Sequence, residues 1–338
     1  MGGASDDGTG ANADEGSATD LLDETTVVVV GGGPAGCSAG VFTGRYGLDT
    51  TVFDRGNAAL QRCAYLENYL GFPAGIDIDT FHELMHAHAE ESGCDIVPET
   101  VVSVERDGED GDDGDDDDNR DGDDESRFVV ETQAGRRVRT EYVVVAAWYD
   151  GSYLRALGDD EMFEEHEHHG EVEERFDPEY ADDDGRTPVD GLYVASPADA
   201  RSAQAIVAAG NGAHVARHLI EDHRREQGYP EGVAAHYDWL RRDAEFSGEW
   251  ADRDRWREWF ENEVGDDYEV DDDRLADLRE TYIDREFATR RTDEEVREQS
   301  ERGLERLVEI VGTGRLLDAM DDETVAEYAA EAVDSRGE

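Results

Sequence analysis

The first strong apolar pattern in the chain is the β-branched run at residues 25–30, long enough for one buried parallel strand. It leads directly into Gly31-Gly32-Gly33-Pro34-Ala35-Gly36, after which small and apolar residues continue at helical spacing as far as Arg45. Gly47 stops that helix, and residues 50–53 form a second strand that closes on Asp54. An amphipathic helix is expected near residues 79–92, followed by strands at 99–106, 127–132, 136–140 and 142–147. Residues 151–186 show no regular period. A strand at 191–196 and a small-residue helix at 202–221 come next.

From about residue 230 the period is helical throughout. Trp256, Trp259, Phe260 and Val264 mark one apolar stripe, and Leu304, Leu307, Val308 and Val311 mark another that ends at Gly312. Thr292 before Asp293, Glu294 and Glu295 reads as a helix start. The fold class is therefore α/β: a Rossmann-like domain over 25–225 with a three-stranded β insertion, then an all-α C-terminal domain over 230–338.

Composition changes the picture in two places. Residues 1–24 hold Gly, Ala, Ser and acid without apolar period, and are expected to be a disordered tail. Residues 107–125 carry 13 acids and one Arg, which reads as a solvated acidic loop between two strands. The formal net charge is -57, and all 31 basic residues are Arg, with no Lys. At about 1 M salt the Debye length is ~3 Å, so carboxylate self-repulsion largely vanishes. The composition resembles that of halophilic archaea. The same charge excludes nucleic acid and anionic membranes as partners. No apolar stretch approaches the ~20 residues of a bilayer span, and no signal peptide is evident, so a cytoplasmic location is expected.

The glycine turn carries the chemistry. It follows a strand, opens a helix, and is answered by Asp54 18 residues after Gly36. Gly31 suits the tight turn, and Gly33 lets backbone amides approach a pyrophosphate. Pro34 and Ala35 open the helix, and Gly36 allows it to pack closely on the strand. Asp54 can accept the hydroxyls of an adenosine ribose.

Four segments in this order resemble the FAD domain of the thioredoxin-reductase-like flavoproteins, over roughly residues 25–222. They are the glycine turn with Asp54; Glu67-Asn68-Tyr69-Leu70-Gly71-Phe72-Pro73; residues 142–147; and residues 191–212, which contain Gln204-Ala205-Ile206 and Ala208-Ala209-Gly210-Asn211-Gly212. The resemblance implies FAD as cofactor, NAD(P)H as a candidate donor, Gln204 and Ala205 near the flavin ring, and Asn68 in a loop beside the cofactor. The family's Ala-Thr-Gly stands here as Ala146-Ala147-Trp148. Its Gly-Asp stands as Ser196-Pro197, with Asp199 two residues on as the substitute acid. Between Trp148 and Val189 about 40 residues replace the family's whole NADPH domain with its CxxC, too few for a second βαβ unit. Thioredoxin reduction is therefore not expected.

Other candidates are weaker. Cys63 falls in a loop expected near the flavin, and is read as a loop or packing residue with a redox role as the sharper alternative. Cys37 and Cys94 read as core. His214 is placed in the first turn of the late helix, where it would face the flavin. His82 and His86 share a helix face, but no third ligand follows at a sensible spacing, so no metal site is expected, nor at His166, His168 and His169. The leading expectation is an FAD-dependent oxidoreductase of reduced architecture acting on a small molecule. The rival is a non-enzymatic nucleotide-binding or interaction protein on the same fold. The C-terminal tryptophans mark core or an interface, and a homodimer stays open.

Overall fold

The computed structural model describes residues 23–56, 59–108, 127–147, 151–168, 171–198, 201, 203–264, 268 and 271–335. The tail at 1–22, most of the acidic loop, Trp148, His169 and Asp199 lie outside the described residues.

The β-branched run forms β1 (Asp23–Val30), followed by α1 (Pro34–Tyr46) and β2 (Thr50–Phe53). Next come α2 (Ile78–Glu91), β3 (Cys94–Val97), β4 (Val101–Arg106), β5 (Phe128–Thr132) and β6 (Arg137–Val145). A hairpin of β7 (Phe163–His168) and β8 (Glu171–Phe176) precedes β9 (Leu192–Val194) and the long helix α3 (Ala205–Glu226). The chain then passes through α4 (Glu231–Ala234), the two-residue β10 (Arg241–Arg242), α5 (Arg253–Glu263) and α6 (Asp272–Ala288). It ends with β11 (Arg290–Arg291), α7 (Asp293–Val311), α8 (Thr313–Asp318) and α9 (Asp322–Ser335).

The main sheet runs β3-β2-β1-β6-β5-β4, with β9 also on β6. Strand β1 lies parallel to β2 and β6, and β2 lies parallel to β3. Alternation along β1 divides its side chains between two cores. Val27 and Val29 join residues of α1 and α3, while Val28 and Val30 join Tyr153, Leu154, Met162 and Phe176 on the opposite face. A sheet buried on both faces explains why the strand is apolar throughout rather than alternating.

Three expectations are corrected. Residues 136–140 and 142–147 are one strand, β6: its first half pairs with β5 and its second half with β9. The antiparallel insertion is thus continuous with the parallel sheet. Strand β3, missed because Cys94-Asp95-Ile96-Val97 is short and mixed, extends the sheet beyond β2. Residues 151–186 are not irregular, since they fold into helical turns and the β7–β8 hairpin that cover the second face of the sheet. Their few apolar residues are widely spaced, so no window of sequence shows a period.

The C-terminal helices pack in small separate cores. Of the first stripe, Trp256 and Phe260 are buried and Trp259 and Val264 half-buried, packed with Leu278 and Ile283 of α6. The second stripe is not a core. Helix α7 buries no residue, and Leu304 is 63% exposed. Thr292 does cap α7, in a reciprocal arrangement with Glu295. Arg224 of α3 is almost fully buried, donates to the Val233 carbonyl at 2.7 Å, and stacks on Tyr229. This contact ties α3 to the helices that follow. Among the described residues no helix is long and apolar enough to cross a membrane.

The same junction contains a pH-sensitive residue. Burial, then the charges of Arg224 and Arg285, push His236 down to about 4, and its ring packs edge-on against Tyr46 at 4.9 Å between centroids. The unfolded chain binds that proton near pH 6.5, so the stability His236 contributes is complete above that pH. It is lost as pH falls from about 6.5 to about 4, by at most about 3 kcal/mol. Chemical denaturation at pH 7 and pH 4.5 in molar KCl is expected to show a smaller pH-dependent loss for His236→Leu than for the parent chain. Equal losses would show that His236 is not held neutral.

Candidate nucleotide site

The C-terminal end of β1, the N-terminus of α1 and the ends of β2 and β6 converge on one pocket, with Ala205 of α3 closing it. Its floor is the glycine turn. Gly31 has φ +118°, and a Cβ there would stand 2.7 Å from the Ala146 carbonyl oxygen. A Cβ on Gly36 would lie inside the van der Waals surface of the Gly31 carbonyl oxygen. Gly31 and Gly36 are therefore required by the turn and by its packing.

Gly33 differs from both. It is the N-cap of α1 with φ -79° and ψ -172°, ordinary extended backbone that any residue adopts. No side chain caps this helix, and Pro34 occupies its first turn. The amides of Ala35 and Gly36 thus stand at a positive helix end beside the pocket, an arrangement suited to phosphate.

Asp54 follows β2 and also lines the pocket. It is 6% exposed as a residue and lies so close under the turn that a Cβ on Gly32 would stand 2.5 Å from its own Cβ. Its Oδ1 accepts the Gly56 amide at 3.0 Å. Its Oδ2 faces α2, 3.4 Å from His82 Nε2 and 3.2 Å from His86 Nε2. The sequence shows no third group for the two histidines because that group is 28 residues upstream, on another element. Burial acts to raise the Asp54 pKa, but the two imidazoles and the Gly56 amide outweigh it and hold the carboxyl well below the usual range. Burial likewise opposes protonation of His86. Its bonds to Asp54 and to the Gly32 carbonyl outweigh that and raise its pKa.

Asn68 and Gln204, 136 positions apart, meet in a hydrogen bond from Asn68 Nδ2 to Gln204 Oε1 at 2.7 Å. Gln204 is the N-cap of α3 and Ala205 its first residue, so the pair stands where α3 reaches the pocket. Further along, a Cβ on Gly212 would overlap the Ala35 carbonyl oxygen, so this glycine sets the close crossing of α3 over α1. Asn211 fixes the same helix to the sheet by donating to the Ala195 carbonyl at 2.8 Å.

His214 is corrected. It is the tenth residue of α3 rather than a first-turn residue, and it does not line the pocket. It sits 3.2 Å from Asp184 in a cluster with His218 and Arg186. The expected helix, 202–221, itself places residue 214 more than three turns in, so helix geometry alone keeps it from the end that meets the pocket.

The three cysteines are free. Cys37 and Cys94 are buried, their thiols donate to the Gly32 and Gly40 carbonyls, and burial pushes both up to about 12. Neither supplies a thiolate near neutral pH. Cys63 is exposed and lines the pocket.

Residues 25–108 match the pyridine nucleotide-disulphide oxidoreductase family. Thioredoxin reductase of Streptomyces coelicolor is 36% identical over 92 residues, which are 26% of this chain and 29% of that protein. The NADPH-dependent thioredoxin reductase 3 of Arabidopsis thaliana is 34% identical over 84 residues, 23% of this chain and 16% of that protein. The matched segment thus spans less than a third of either relative. Among solved structures, a thioredoxin reductase from Gloeobacter violaceus aligns over 65% of this chain and 98% of its own, with a TM-score of 0.45 and 16% identity.

Proposed function

We propose that this chain binds FAD in the pocket at the glycine turn and acts as a flavin-dependent oxidoreductase of reduced architecture on a small-molecule substrate. The observation that carries the reading is the meeting of four elements in one pocket. These are the uncapped N-terminus of α1, the ends of β2 and β6, and the start of α3 at Ala205. The amides of Ala35 and Gly36 would hold the pyrophosphate, with Gly31 and Gly33 leaving room for it. Asp54 would accept a ribose hydroxyl. Asn68, Gln204 and Ala205 would orient the ring end, and Asp199, outside the described residues, is the proposed acid for the ribityl–phosphate region. FAD, when bound, supplies hydride and electron transfer; the protein supplies binding, orientation and electrostatics. NAD(P)H is the proposed donor, and the cytoplasm of a salt-accumulating cell the proposed location.

Thioredoxin reduction is not part of the proposal. Two of the three thiols are buried and bonded to carbonyls on α1 or beside it, which leaves Cys63 alone at the pocket. A dithiol reaction needs two sulfurs that can meet.

Purified above about 2 M KCl, where self-repulsion is screened, the protein is expected to show the usual flavin absorption bands. NADPH is expected to bleach them without oxygen. Colourless protein that also fails to take up added FAD would sink the proposal. One observation favours the rival of a non-enzymatic scaffold: both Asp54 oxygens already face partners, Gly56 on one side and the histidines on the other. Bound flavin that no pyridine nucleotide or dithionite-independent donor reduces would support that rival.

A further inference from the structure

We propose that Asp54, His82 and His86 form a binding site for a divalent first-row transition-metal ion, with zinc the best fit. The donor set is two imidazoles and one carboxylate, which suits Zn²⁺ and Co²⁺ and not Mg²⁺ or Ca²⁺. The site draws on two elements. His82 and His86 are four residues apart on α2 and present both Nε2 atoms to one side, with ring centroids 4.0 Å apart. Asp54 supplies Oδ2 from the end of β2, and its carboxylate is held in place by the Gly56 amide on the other oxygen.

The spacing fits an ion as well as it fits hydrogen bonds, and His86 Nε2, 3.1 Å from the Gly32 carbonyl oxygen, would exchange that bond for the ion. Ligands about 2.0–2.1 Å from a tetrahedral zinc stand roughly 3.3–3.4 Å from one another. The two Nε2 atoms lie 3.4 and 3.2 Å from Oδ2, and all three donor atoms fall within 4.8 Å of one another. His82 Nε2 is buried and stands 3.4 Å from the carboxylate oxygen, its one close polar neighbour among the described residues. A buried ring nitrogen held only at that distance is better satisfied by a shared cation.

The surroundings favour a cation as well. The histidines open onto a cleft between α2 and α7 that also carries Glu83, Glu90 and Glu309. Arg306, the one Arg among the described residues that line that cleft, is paired to Glu91 and Glu309 at 3.2 and 2.7 Å. A second constellation of the same kind, Asp184 with His214 and His218, lacks this advantage. There Arg186 stands 2.8 Å from the Asp184 carboxylate, and its charge opposes a dication. The two clusters provide a test and its control in one molecule.

The experiment is a Co²⁺ titration of the full chain in molar KCl, read as a difference spectrum beyond the flavin bands, with Zn²⁺ added as competitor. Tetrahedral Co²⁺ absorbs intensely in that region, whereas weak capture by surface carboxylates gives the faint octahedral spectrum. The expected result is a 1:1 intense spectrum that Zn²⁺ abolishes. His82→Ala and His86→Ala are each expected to weaken it at least about 100-fold, since even outer-shell changes cost 10–100-fold. The control His214→Ala is expected to leave it unchanged. Alanine suits a helix, so far-UV circular dichroism should show α2 intact. A faint octahedral spectrum from the parent chain would overturn the proposal, whatever the variants do. An intense spectrum that survives in the double His82→Ala/His86→Ala chain would overturn it too. The readout does not depend on flavin, so the two proposals fail separately.

Discussion

Gly33→Val is expected to abolish flavin retention while the fold persists. Gly33 has extended backbone angles that valine adopts readily, so the substitution brings no φ strain. Its side chain would enter the space over the α1 N-terminus, where the proposed pyrophosphate approaches the Ala35 and Gly36 amides. Losing that approach should lower FAD affinity by at least about 100-fold, or roughly 3 kcal/mol. Gly36→Ala provides the contrast. Its Cβ would overlap the Gly31 carbonyl oxygen, so the turn itself must move and stability should fall along with binding, by about 2–4 kcal/mol. Flavin content per folded protein, measured beside the thermal midpoint, separates the two. Full flavin in folded Gly33→Val protein would show that the ligand does not lie over this turn.

Thermal stability is expected to rise with KCl through the molar range, by on the order of 10 °C or more between dilute and molar salt. Acids outnumber arginines 88 to 31, so most carboxylates have no cation to pair with. The ion pairs that do form lie largely at the surface, as between Arg155 and Glu174 or Arg242 and Asp293, and each contributes little. Salt weakens these pairs, but it also screens repulsion among many more unpaired carboxylates, and the second effect should dominate. A midpoint that falls steadily from low to high KCl would show instead that the arginine pairs control stability.

Much of the site region was legible because its determinants are local. A β-branched run, three glycines at fixed spacing and an acid at the end of the next strand all lie within 30 residues. The structure places Gly31, Gly33, Pro34, Ala35 and Asp54 around one pocket. The cap of α7 at Thr292 was equally readable, because a capping box is complete within four residues. The exposed stripe on α7 shows the limit of the same method. Periodicity marks an apolar face, but whether anything covers that face depends on where the helix packs.

By itself, then, the sequence determined the strand–turn–helix unit, the position of its acid and the excess of negative charge, since each follows from neighbouring residues or from composition. Only the tertiary structure decided what those residues meet. Asp54 faces His82 and His86 because α2 packs on α1 and on β3, the strand beside β2, and Asn68 bonds Gln204 across 136 positions because α3 returns to the sheet. His214 lies away from the pocket because α3 starts at Ala205, which places residue 214 almost three turns along the helix. The acidic stretch after β6 covers a sheet face through scattered residues such as Leu154 and Met162. Contacts of this kind depend on how elements dock, and docking depends on the summed burial of many side chains rather than on any local pattern.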